Sequence, residues 1–590
     1  MTMSSQSSSS HFETLPPRSE YRFELEAGER LAIRLVPDTG DAEIFGAELL
    51  PREDKWYTFG DEAKGCICSW KGCTIEIVPP PSAAYLSLEP SPTFSSYTTL
   101  HLHLEKARAQ ARQHIRTAPQ LIHDLRLSSE SEDQDADVYR PEAQGPRILI
   151  LGPESSGKTS LAKLLCNYAL RSPATTSTGY EEVEEGKKVP GEVEASEVTG
   201  WWPMLVNLDP SAGAPPLPCT LSAHPLSPLP KASLTSATPA LPYGITTPIS
   251  GSLPPGVASA STSSSISLWL GREHFRPAGP SGEGSDEHAL SILQRLGRLV
   301  ERRMCRDMKA RMSGLVVDTM ATGTQDARGK YSLVKEIVKA FHIDMILVLG
   351  QEKVTIDLTK YFSSQPEGAG SRPTVLKLPK SGGVVELDDT YKTRLRNAQI
   401  KSYFYGGNTA GDKKGAQAIA DADSNVNGSE SEKPKVPGMD EPLGGLSHLN
   451  PYSQTIPLDL LEVYRVGQET VAPSSALPIG SSRALSASTL HKLDPVNSQA
   501  DQSLLLNSVL ALIEPPGGGG GKGQKDSEVW KNEVGDDEVG EKEVARGTVR
   551  GWIHVGAIDT ARKRVTILSP GMGRLPSKTA LLGTLDWQDA

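Results

Sequence analysis

The stretch ILILGPESSGKTSLAKLL, residues 148–165, decides how the rest of the chain is interpreted. An apolar run leads into a glycine-bounded loop, and a helical pattern follows. The residues that satisfy the G-x-x-x-x-G-K-S/T phosphate-loop pattern are Gly152, Gly157, Lys158 and Thr159. Glycines let the backbone turn so that successive N–H groups point at phosphate oxygens, and the helix adds the positive end of its dipole. The stretch therefore predicts binding of a nucleoside triphosphate.

The side chains of the loop have distinct expected roles. Lys158 is expected to bridge the β and γ phosphates, and Thr159 is expected to offer its hydroxyl to Mg²⁺. The other predicted contacts to the phosphates come from Ser155, Ser156 and Ser160. The predicted cofactors are therefore ATP and Mg²⁺.

An acidic residue at the end of another strand should complete the metal site. Asp209 closes the apolar run MLVNLD and Asp318 closes GLVVD, so both could project over the carboxyl edge of a sheet. Either aspartate could instead cap a turn or the following helix. Asp209 is the better candidate because Pro210 follows it at once, and we predict Thr159 and Asp209 as the metal ligands.

The pattern on both sides of the loop predicts an α/β fold for the middle of the chain. From residue 147, short apolar runs (RILIL, MLVNLD, GLVVDTM, IDMILVLG) alternate with or lie beside helical stretches such as YSLVKEIVKAFHI. Such alternation is typical of a parallel sheet covered on both faces. The fold class predicted here is a central P-loop NTPase domain.

The flanking regions have different patterns. Residues 21–104 contain short β runs, which predict a β-sandwich or barrel-like domain, and a linker helix rich in arginine follows. Strand-like runs near the C-terminus, QTIPLDLLEVYRVG and RGTVRGWIHVGAIDTARKRVTILSP, predict a small α+β domain.

Composition indicates that ordered domains alternate with disordered segments. The chain has 590 residues, only 37% of them hydrophobic, with 45 prolines and 54 glycines. The predicted divisions are a disordered N-terminus at 1–18, an N-terminal β domain with a linker helix at 19–127, an acidic linker at 128–145, a P-loop domain at 146–400 and a C-terminal domain at 401–590. The predicted insertions are an acidic one at 172–200, a Pro/Ser-rich one at 214–265 and disordered ones at 407–440 and 515–545.

Charge and hydropathy exclude some function classes. The net charge of −11 argues against a surface that binds polyanions throughout, so any RNA contact must be local. One basic run, RLGRLVERRMCRDMKAR, could make such a contact, but the solvated face of an amphipathic helix is the commoner origin of this pattern. No apolar run approaches the ~20 residues that span a bilayer, so no membrane contact is expected.

The six cysteines are too few for a disulfide framework in a chain of this length. Cys66, Cys68 and Cys73 cluster in GCICSWKGC, but a metal site there would lack a fourth ligand nearby in the sequence. We interpret the three as small apolar residues on strands.

Four segments, LGPESSGKTS, VNLDPSAG, LKLPKSGGVVEL and SYFYGG, occur in an order and separation that resemble the polynucleotide 5′-hydroxyl kinase family. The likeness is greatest to the branch that serves as the ATP-binding subunit of the pre-mRNA cleavage and polyadenylation machinery. The resemblance implies three domains, a nuclear location and partners among the other cleavage-factor subunits, particularly the one that binds the RNA polymerase II tail. It also implies that Glu20 and Lys64 reach the nucleotide base, although their spacing alone favours ordinary surface charges.

The chain departs from the active kinases of this family at the substrate side. The aspartate, Asp209, is present, but Ala212 stands where the resemblance implies a glutamine. Where these kinases carry a tryptophan that stacks on the terminal base, the chain has Thr322 and no aromatic ring until Tyr331. Base stacking is worth ~1–3 kcal/mol, so its loss should weaken substrate capture.

The family's lid offers arginines to the transferring phosphoryl group, whereas the matching segment, QEKVTIDLTKYF, offers Lys353 and Lys360. Lysine supplies charge without the bidentate fork of arginine. Because phosphoryl transfer depends on positioning and electrostatics, we expect a very slow or inactive site that still binds ATP. The favoured hypothesis is a non-catalytic, ATP-loaded scaffold whose RNA contact is weak.

The alternative is an active kinase that uses Lys158 and Asp209 and replaces the missing ring with an aromatic such as Trp269. An unrelated ATPase or GTPase motor is not favoured, because the chain has no guanine-reading N-K-x-D string and no convincing arginine finger.

Overall fold

The computed structural model describes fifteen stretches of the chain. They are residues 10–26, 29–53, 56–60, 63–87, 92–129, 139–172, 200–226, 265–275, 286–322, 331–365, 372–405, 452–466, 490–514, 544–571 and 574–588. Residues 173–199 of the insertion predicted at 172–200, all of the insertion predicted at 407–440, and residues 130–138 of the acidic linker lie outside these stretches. Within the stretches given, no helix combines the length and apolar character that a bilayer crossing requires.

The N-terminal region is a β-sandwich, as its pattern predicts. Its strands are β1 His11–Leu15, β2 Ser19–Glu24, β3 Arg30–Leu35, β4 Glu43–Ile44, β5 Ala47–Glu48, β6 Tyr57–Gly60, β7 Lys64–Ser69, β8 Cys73–Val78 and β9 Ala83–Ser87. They form one sheet of order β1-β8-β3-β6 and a second of order β5-β4-β7-β2-β9. Alternate side chains of both sheets, including Ile33, Ile67 and Ile75, meet in one buried cluster.

Strand β1 lies inside the segment 1–18 that the sequence predicts to be disordered. Its backbone pairs antiparallel with β8, from His11 opposite Ile77 to Leu15 opposite Cys73. Leu15 is almost fully buried in the sandwich core. The prediction of disorder is therefore wrong for this strand, because five residues suffice when a sheet edge supplies the hydrogen-bond partners.

Two helices, α1 Pro92–Thr117 and α2 Gln120–Ser129, connect the sandwich to the middle of the chain, where one linker helix is predicted. Arg108 in α1 is buried, and its Nε donates to the Ser313 carbonyl at 3.0 Å while its Nη1 donates to Glu105 at 2.6 Å. The linker is thus bound to the central region along its length.

The central sheet contains the predicted parallel strands. They are β10 Arg147–Leu151, β11 Met204–Asn207, β14 Leu315–Asp318 and β15 Met345–Leu349. A fifth parallel strand, β16 Thr374–Leu378, was not predicted, and β12 Thr220–Pro225 and β13 Ile266–Trp269 come between β11 and β14 in the chain. The sheet order is β16-β15-β10-β14-β11-β12-β13, and the first five strands are mutually parallel. Strand β10, which carries the phosphate loop, is therefore an inner strand.

The strands β12 and β13 are antiparallel additions to this sheet. Strand β12 lies inside the Pro/Ser-rich insertion predicted at 214–265, and all six of its residues are buried. The prediction of an insertion is wrong for these residues, because they form a strand that pairs with β11 on one side and β13 on the other, and the flanking prolines mask it in the sequence.

Helices cover both faces of the central sheet. They are α3 Lys158–Arg171, α4 Glu287–Arg306, α5 Met308–Ser313, α6 Ser332–Phe341, α7 Glu352–Ser363 and α8 Asp389–Tyr405. In β10, Leu149 and Leu151 face the cluster formed with α4, α6 and α7, whereas Ile148 and Ile150 face the cluster formed with α1 and α3. The continuous apolar run of this strand follows from burial on both sides.

The C-terminal region continues the same sheet. Its elements are β17 Tyr452–Pro457, a 3₁₀ turn Leu458–Leu460, β18 Glu462–Val466, β19 Leu490–Lys492, α9 Gln499–Leu505, β20 Ser508–Glu514, β21 Thr548–Asp559, β22 Arg564–Ser569 and β23 Thr579–Asp586. Strand β21 pairs with β13 through Leu268 and Thr548, which produces one sheet of 14 strands.

The core beneath this junction draws on both predicted domains. Trp269 of β13 and Ile400 and Phe404 of α8 pack with Trp552 and Trp587. Helix α8 therefore crosses the boundary predicted between residues 400 and 401. Val544 and Ala545 are buried in the same cluster, so the last residues of the insertion predicted at 515–545 belong to the core.

The basic run of α4 and α5 is only partly a solvated face. Arg295 and Arg311 are buried, and Arg311 donates to the Glu142 carbonyl at 2.8 Å and pairs with Glu301 at 3.4 Å. Because both guanidinium groups are buried, they are not part of a surface for RNA.

The sandwich docks on helix α3, the helix that follows the phosphate loop. The Tyr168 hydroxyl donates to Glu43 Oε1 at 2.7 Å, and Asn167 Nδ2 donates to the Phe45 carbonyl at 2.8 Å. A Cβ on Gly46 would lie 2.9 Å from the Leu164 carbonyl, so the two backbones approach closely. The position of the loop relative to the sandwich is therefore fixed by α3 itself.

Glu43 makes this interface sensitive to pH. Burial raises the pKa of Glu43 from 4.5 to about 7, although the hydrogen bond from Tyr168 opposes the shift. The folded protein therefore binds a proton that the unfolded chain releases, and the stabilisation from that proton is lost as pH rises through this range. We expect the Glu43→Gln variant, which keeps an acceptor for Tyr168, to lose about 2–4 °C less than the wild type in thermal midpoint between about pH 5 and pH 7.5. Differential scanning fluorimetry measures the difference, and identical pH profiles would contradict it.

Candidate functional site

The phosphate loop has the backbone geometry that its glycines predict. It joins β10 to α3, and Gly157 adopts φ +85°, a conformation that favours glycine. A Cβ on Gly152 would lie 2.6 Å from Ser156 Oγ, so a larger residue would not fit there either. The loop thus forms a turn with backbone N–H groups and the N-terminus of α3 at its mouth.

Lys158 is held within the loop. Its Nζ donates to the Pro153 carbonyl at 2.8 Å, and the Ser156 hydroxyl donates to the same oxygen at 2.8 Å. Burial lowers the pKa of Lys158, while the charges of Asp318 and Asp209 oppose that shift. A phosphate group can replace the neutral carbonyl as the partner of this ammonium.

Asp318 and Thr159 offer oxygen ligands to a hard cation. Asp318 ends β14, and its buried carboxylate accepts a hydrogen bond from the Thr159 side chain. Its second oxygen, Oδ1, has no hydrogen-bond partner among the residues that the structure describes. Burial raises the pKa of Asp318 to about 6, and a divalent cation would stabilise the ionised form. The arrangement therefore fits Mg²⁺.

Asp209, the aspartate that the sequence favours, lies nearby but is held differently. It follows β11 and lines the cavity described below, and its Oδ1 accepts from the Ser211 N–H at 3.1 Å. Both aspartates are close enough to act on the pKa of Lys158. Asp318, ranked second from the sequence, has the direct contact with Thr159.

A cavity of about 1540 Å³ lies between the phosphate loop and the second sheet of the sandwich. Glu20 and Lys64 line it on the sandwich side, and Lys158 and Thr159 line it on the loop side. The structure thus brings the two residues predicted to contact the base into one cavity with the residues predicted to contact the phosphates.

Glu20 and Lys64 already have partners on the same sheet face. Arg22 donates to Glu20 Oε2 through Nε at 3.0 Å and Nη2 at 2.5 Å. Lys64 pairs with Glu24, which lies opposite it on β2, and burial lowers the pKa of Lys64. Glu20 and Glu24 are four residues apart on β2, so the two ion pairs are separated by roughly 13 Å along the strand.

The PKSGGVV segment packs between the two sides of the cavity. A Cβ on Gly382 would lie 3.3 Å from Arg22 Nη1, and one on Gly383 would lie 3.0 Å from Arg22 Nε. On the loop side, a Cβ on Gly157 would lie 3.0 Å from Val384 Cγ2. The glycine pair makes room for the Arg22 side chain, a role that sequence reasoning missed because the contact joins residues 360 positions apart.

Helix α8 supplies cations that the sequence analysis also missed. Lys392 forms an ion pair with Glu154 of the phosphate loop, and Arg396 Nη1 donates to Glu273 Oε1 at 2.7 Å. All four side chains line the cavity. No pattern in the α8 sequence marks these two residues, since their significance depends on where the helix docks.

The predicted lid lysines do not serve this cavity. Lys353 and Lys360 are exposed on α7, and neither lines the cavity. The expected contribution of Lys353 and Lys360 is therefore not seen in this arrangement, and the cations that α8 places in the cavity are Lys392 and Arg396.

No aromatic side chain replaces the missing stacking residue at the positions considered from the sequence. Ala212 and Thr322 line the cavity as expected. Tyr331 also lines it, but the ring is buried and its hydroxyl bonds to Asp357 at 3.2 Å. Trp269 is fully buried beneath the C-terminal strands, so the idea that Trp269 stacks on a substrate base is wrong.

Three family models match the chain. They are described as the pre-mRNA cleavage complex II protein Clp1 over residues 449–589, the N-terminal beta-sandwich domain of polyadenylation factor over residues 14–111, and the mRNA cleavage and polyadenylation factor CLP1 P-loop over residues 278–406. The last match begins on the C-terminal side of the phosphate loop itself.

Curated relatives match over nearly the full length. A protein of Mycosarcoma maydis named mRNA cleavage and polyadenylation factor CLP1 is 49% identical, with 98% of each chain covered. A protein of the same name from Malassezia globosa is 42% identical over 97% of this chain and 94% of its own. An Arabidopsis thaliana protein named Protein CLP1 homolog is 27% identical over 98% of this chain and 94% of its own.

Two solved structures have the same fold. A wild-type Clp1p–Pcf11p complex aligns with a TM-score of 0.58 at 19% identity, over 99% of both chains. A second structure, of the extended interface between Pcf11p and Clp1p and the basis for ATP loss in a point mutant, aligns with a TM-score of 0.59 at 20% identity, over 98% of this chain and 99% of that one.

The packing of Gly383 against Arg22 predicts the effect of one methyl group. Gly383 does not have a positive φ, so Gly383→Ala acts through its new Cβ and not through backbone strain. That Cβ displaces the Arg22 side chain and weakens its hold on Glu20. We expect the Kd for ATP to rise about fivefold, which corresponds to about 1 kcal/mol. Isothermal titration calorimetry measures the Kd. The control is Gly571→Ala, whose Cβ would meet no atom within 4 Å; equal Kd values for the two variants would contradict the prediction.

Proposed function

Because the chain belongs to the family of the mRNA cleavage and polyadenylation factor CLP1, we propose that it is a non-catalytic, ATP-loaded scaffold subunit of a nuclear pre-mRNA cleavage factor. The observation that carries the proposal is the single cavity lined by the phosphate loop and by the sandwich. A nucleotide in that cavity contacts both domains, so it stabilises their docked arrangement.

The size of this stabilisation follows from mass action. A ligand that binds only the docked form contributes RT ln(1 + [L]/Kd), which is about 3–4 kcal/mol when ATP exceeds its Kd by about a hundredfold to a thousandfold. That contribution exceeds one charge-assisted hydrogen bond at the interface. A permanently bound nucleotide is therefore an effective structural ligand.

The proposed nucleotide contacts start at the loop. Lys158 and the loop serines Ser155, Ser156 and Ser160 hold the phosphates, in agreement with the buried ammonium and the glycine-dependent turn. Glu20 and Lys64 contact the base from the sandwich wall. Because both have ion-pair partners in the structure, base binding requires these side chains to exchange or share partners.

The proposed Mg²⁺ ligands are Thr159 and Asp209, and the geometry adds Asp318 to that set. The unpartnered Oδ1 of Asp318 and its contact with Thr159 support the addition. When bound, Mg²⁺ would supply positive charge to the β and γ phosphates. The chain's own contribution is to place carboxylates and a hydroxyl at one edge of the sheet.

The substrate side of the cavity supports a non-catalytic role. Ala212 offers no polar contact, and Thr322 offers no ring on which a base could stack. A phosphoryl acceptor would therefore be positioned poorly, and positioning accounts for much of the catalysis of phosphoryl transfer.

An active polynucleotide 5′-hydroxyl kinase is the alternative, and one observation favours it. Lys392 and Arg396 line the cavity, so cations that could stabilise a transferring phosphoryl group are present after all. In that case Lys158 and Asp209 would be the catalytic residues. Both cations are engaged by glutamates, which reduces the charge available to a phosphate.

The proposed partners are other subunits of the cleavage factor. Both solved structures are of Clp1p with Pcf11p, and they share the fold of this chain. We propose that this chain likewise binds the subunit that recognises the RNA polymerase II C-terminal tail. Direct RNA contact is proposed to be weak, which agrees with the net charge of −11.

Retention of nucleotide tests the structural role. We expect wild-type protein purified without added nucleotide to release intact ATP on denaturation, and the Lys158→Ala, Thr159→Ala double variant to release little. The variant should melt about 4 °C or more below the wild type and bind its partner subunit more weakly, because the domains lose a shared ligand. Chromatography of the released nucleotide and a thermal-shift assay measure both effects.

The control for this experiment is Lys353→Ala, which removes an exposed lysine that does not line the cavity. It should retain ATP and melt like the wild type. A nucleotide-free double variant with an unchanged melting temperature would show that ATP has no structural role.

A phosphate-transfer assay separates the scaffold from the kinase. With radiolabelled ATP and an oligoribonucleotide that carries a 5′-hydroxyl, we expect no transfer above the Lys158→Ala blank. Steady accumulation of ADP together with 5′-phosphorylated RNA would establish the kinase instead. Loss of that transfer in Arg396→Ala would then assign the stabilising cation.

A further inference from the structure

Two thiols and a carboxylate converge on the sandwich wall of the cavity. Cys66 and Cys68 are two residues apart on β7, so their side chains lie on one face of the sheet, and Glu20 lies opposite Cys68 on β2. The two Sγ atoms are 3.8 Å apart, and Cys66 Sγ is 3.6 Å from Glu20 Oε2. All three ligand atoms lie within 4.8 Å of one another.

The Sγ–Sγ separation and the separation of Cys66 Sγ from Glu20 Oε2 agree with tetrahedral coordination of zinc. With Zn–S bonds of about 2.3 Å and Zn–O bonds of about 2.1 Å, tetrahedral angles place two sulfurs about 3.8 Å apart and a sulfur and an oxygen about 3.6 Å apart. The side chains therefore need little rearrangement to accept the ion. The sequence analysis set aside a metal site at these cysteines, and it could not identify Glu20 as a ligand because Glu20 lies on another strand, 46 positions before Cys66.

We propose that Cys66, Cys68 and Glu20 form a Zn²⁺ site on the wall of the cavity. Two thiolates and one carboxylate are ligands that zinc accepts, and the thiols release their protons to solvent on binding. The fourth coordination position faces the cavity, where a water molecule occupies it. Cys66 and Cys68 both line that cavity and are partly exposed to it, which gives the ion a route of entry.

Arg22 acts on the site through Glu20 Oε2, the same carboxylate oxygen that lies near Cys66 Sγ. Its two hydrogen bonds to Glu20 Oε2 orient the group, as is common for metal-ligating carboxylates. Its positive charge also opposes the cation, so the affinity should be lower than that of a site with four protein ligands. Zinc bound here is consequently exchangeable rather than required for folding.

The cluster is distinct from the third cysteine of the same sequence segment. Cys73 lies on β8 of the other sheet and is buried in the sandwich core. Its thiol therefore cannot join the site, and it provides a matched control. Within the stretches that the structure describes, no other group of three such ligands meets the same distance criterion.

Metal binding by the full-length protein tests the proposal. After treatment with a chelator, the protein is titrated with Zn²⁺ in competition with a chromophoric chelator. We expect one equivalent to bind, with at least about a hundredfold loss of affinity in the Cys66→Ser, Cys68→Ser double variant. The Cys73→Ser control should bind zinc like the wild type.

A second metal, Co²⁺, reports directly on the thiolate ligands, so loss of zinc binding in a variant can be distinguished from a folding defect. Co²⁺ bound by thiolates gives an intense near-ultraviolet charge-transfer band, which should appear with the wild type and persist at about half intensity in each single cysteine variant. Circular dichroism confirms that the variants are folded. A double variant that binds zinc like the wild type, or a wild type that binds none, would overturn the site.

A consequence for the nucleotide rests on the proposed function. If Glu20 contacts the base, Zn²⁺ and ATP share a residue, and zinc should raise the Kd for ATP by about tenfold or more in the wild type but not in the double cysteine variant. If zinc binds but the Kd for ATP is unchanged, the metal site is supported and Glu20 does not contact the base. The two proposals therefore fail separately.

Discussion

Helix α3 makes two contacts from which the cavity follows. Its N-terminus is the end of the phosphate loop, and its C-terminal half carries Asn167 and Tyr168, which bond to the sandwich at Phe45 and Glu43. A rigid helix of 14 residues therefore sets the distance between the phosphate-binding turn and the sandwich wall. Neither domain could shift relative to the other without changing the width of the site.

The charges in the cavity are arranged as pairs. Arg22 with Glu20, Lys64 with Glu24, and Lys392 with Glu154 each join a cation to a carboxylate on the wall. An anionic ligand must compete with these carboxylates, so its binding redistributes charge across the sandwich, the phosphate loop and α8 together. The ion pair of Lys392 with Glu154 also links α8 directly to the phosphate loop.

Sequence reasoning predicted the parts of the molecule that depend on local pattern. The phosphate loop, the parallel strands around it and the alternation of the sandwich strands all appear in the structure, because each is encoded within some ten consecutive residues. The family assignment is confirmed by relatives that match the whole chain. Strand β12 was missed since the surrounding prolines dominate its local pattern.

The parts that sequence reasoning did not predict depend on contacts between distant residues. Trp269 was considered a free aromatic, but its burial is set by strands some 280 positions later. Arg396 and the space that Gly383 provides for Arg22 likewise follow from docking, which no short pattern reports. The local pattern therefore located the phosphate loop, and the family resemblance pointed to Glu20 and Lys64 on the sandwich wall, whereas the contribution of α8 to the cavity was not predicted.

The pairing of Leu268 with Thr548 has a consequence for the architecture as a whole. One continuous sheet runs from the strands around the phosphate loop to the C-terminal strands. Helix α8 packs beneath the junction of β13 and β21, with its Phe404 ring stacked on Trp587. A chain ending after residue 405 would expose the backbone edge of β13 and uncover Trp269, which makes such a fragment prone to aggregation. A load applied by any protein attached to the C-terminal strands would pass along the backbone hydrogen bonds into the middle of the molecule.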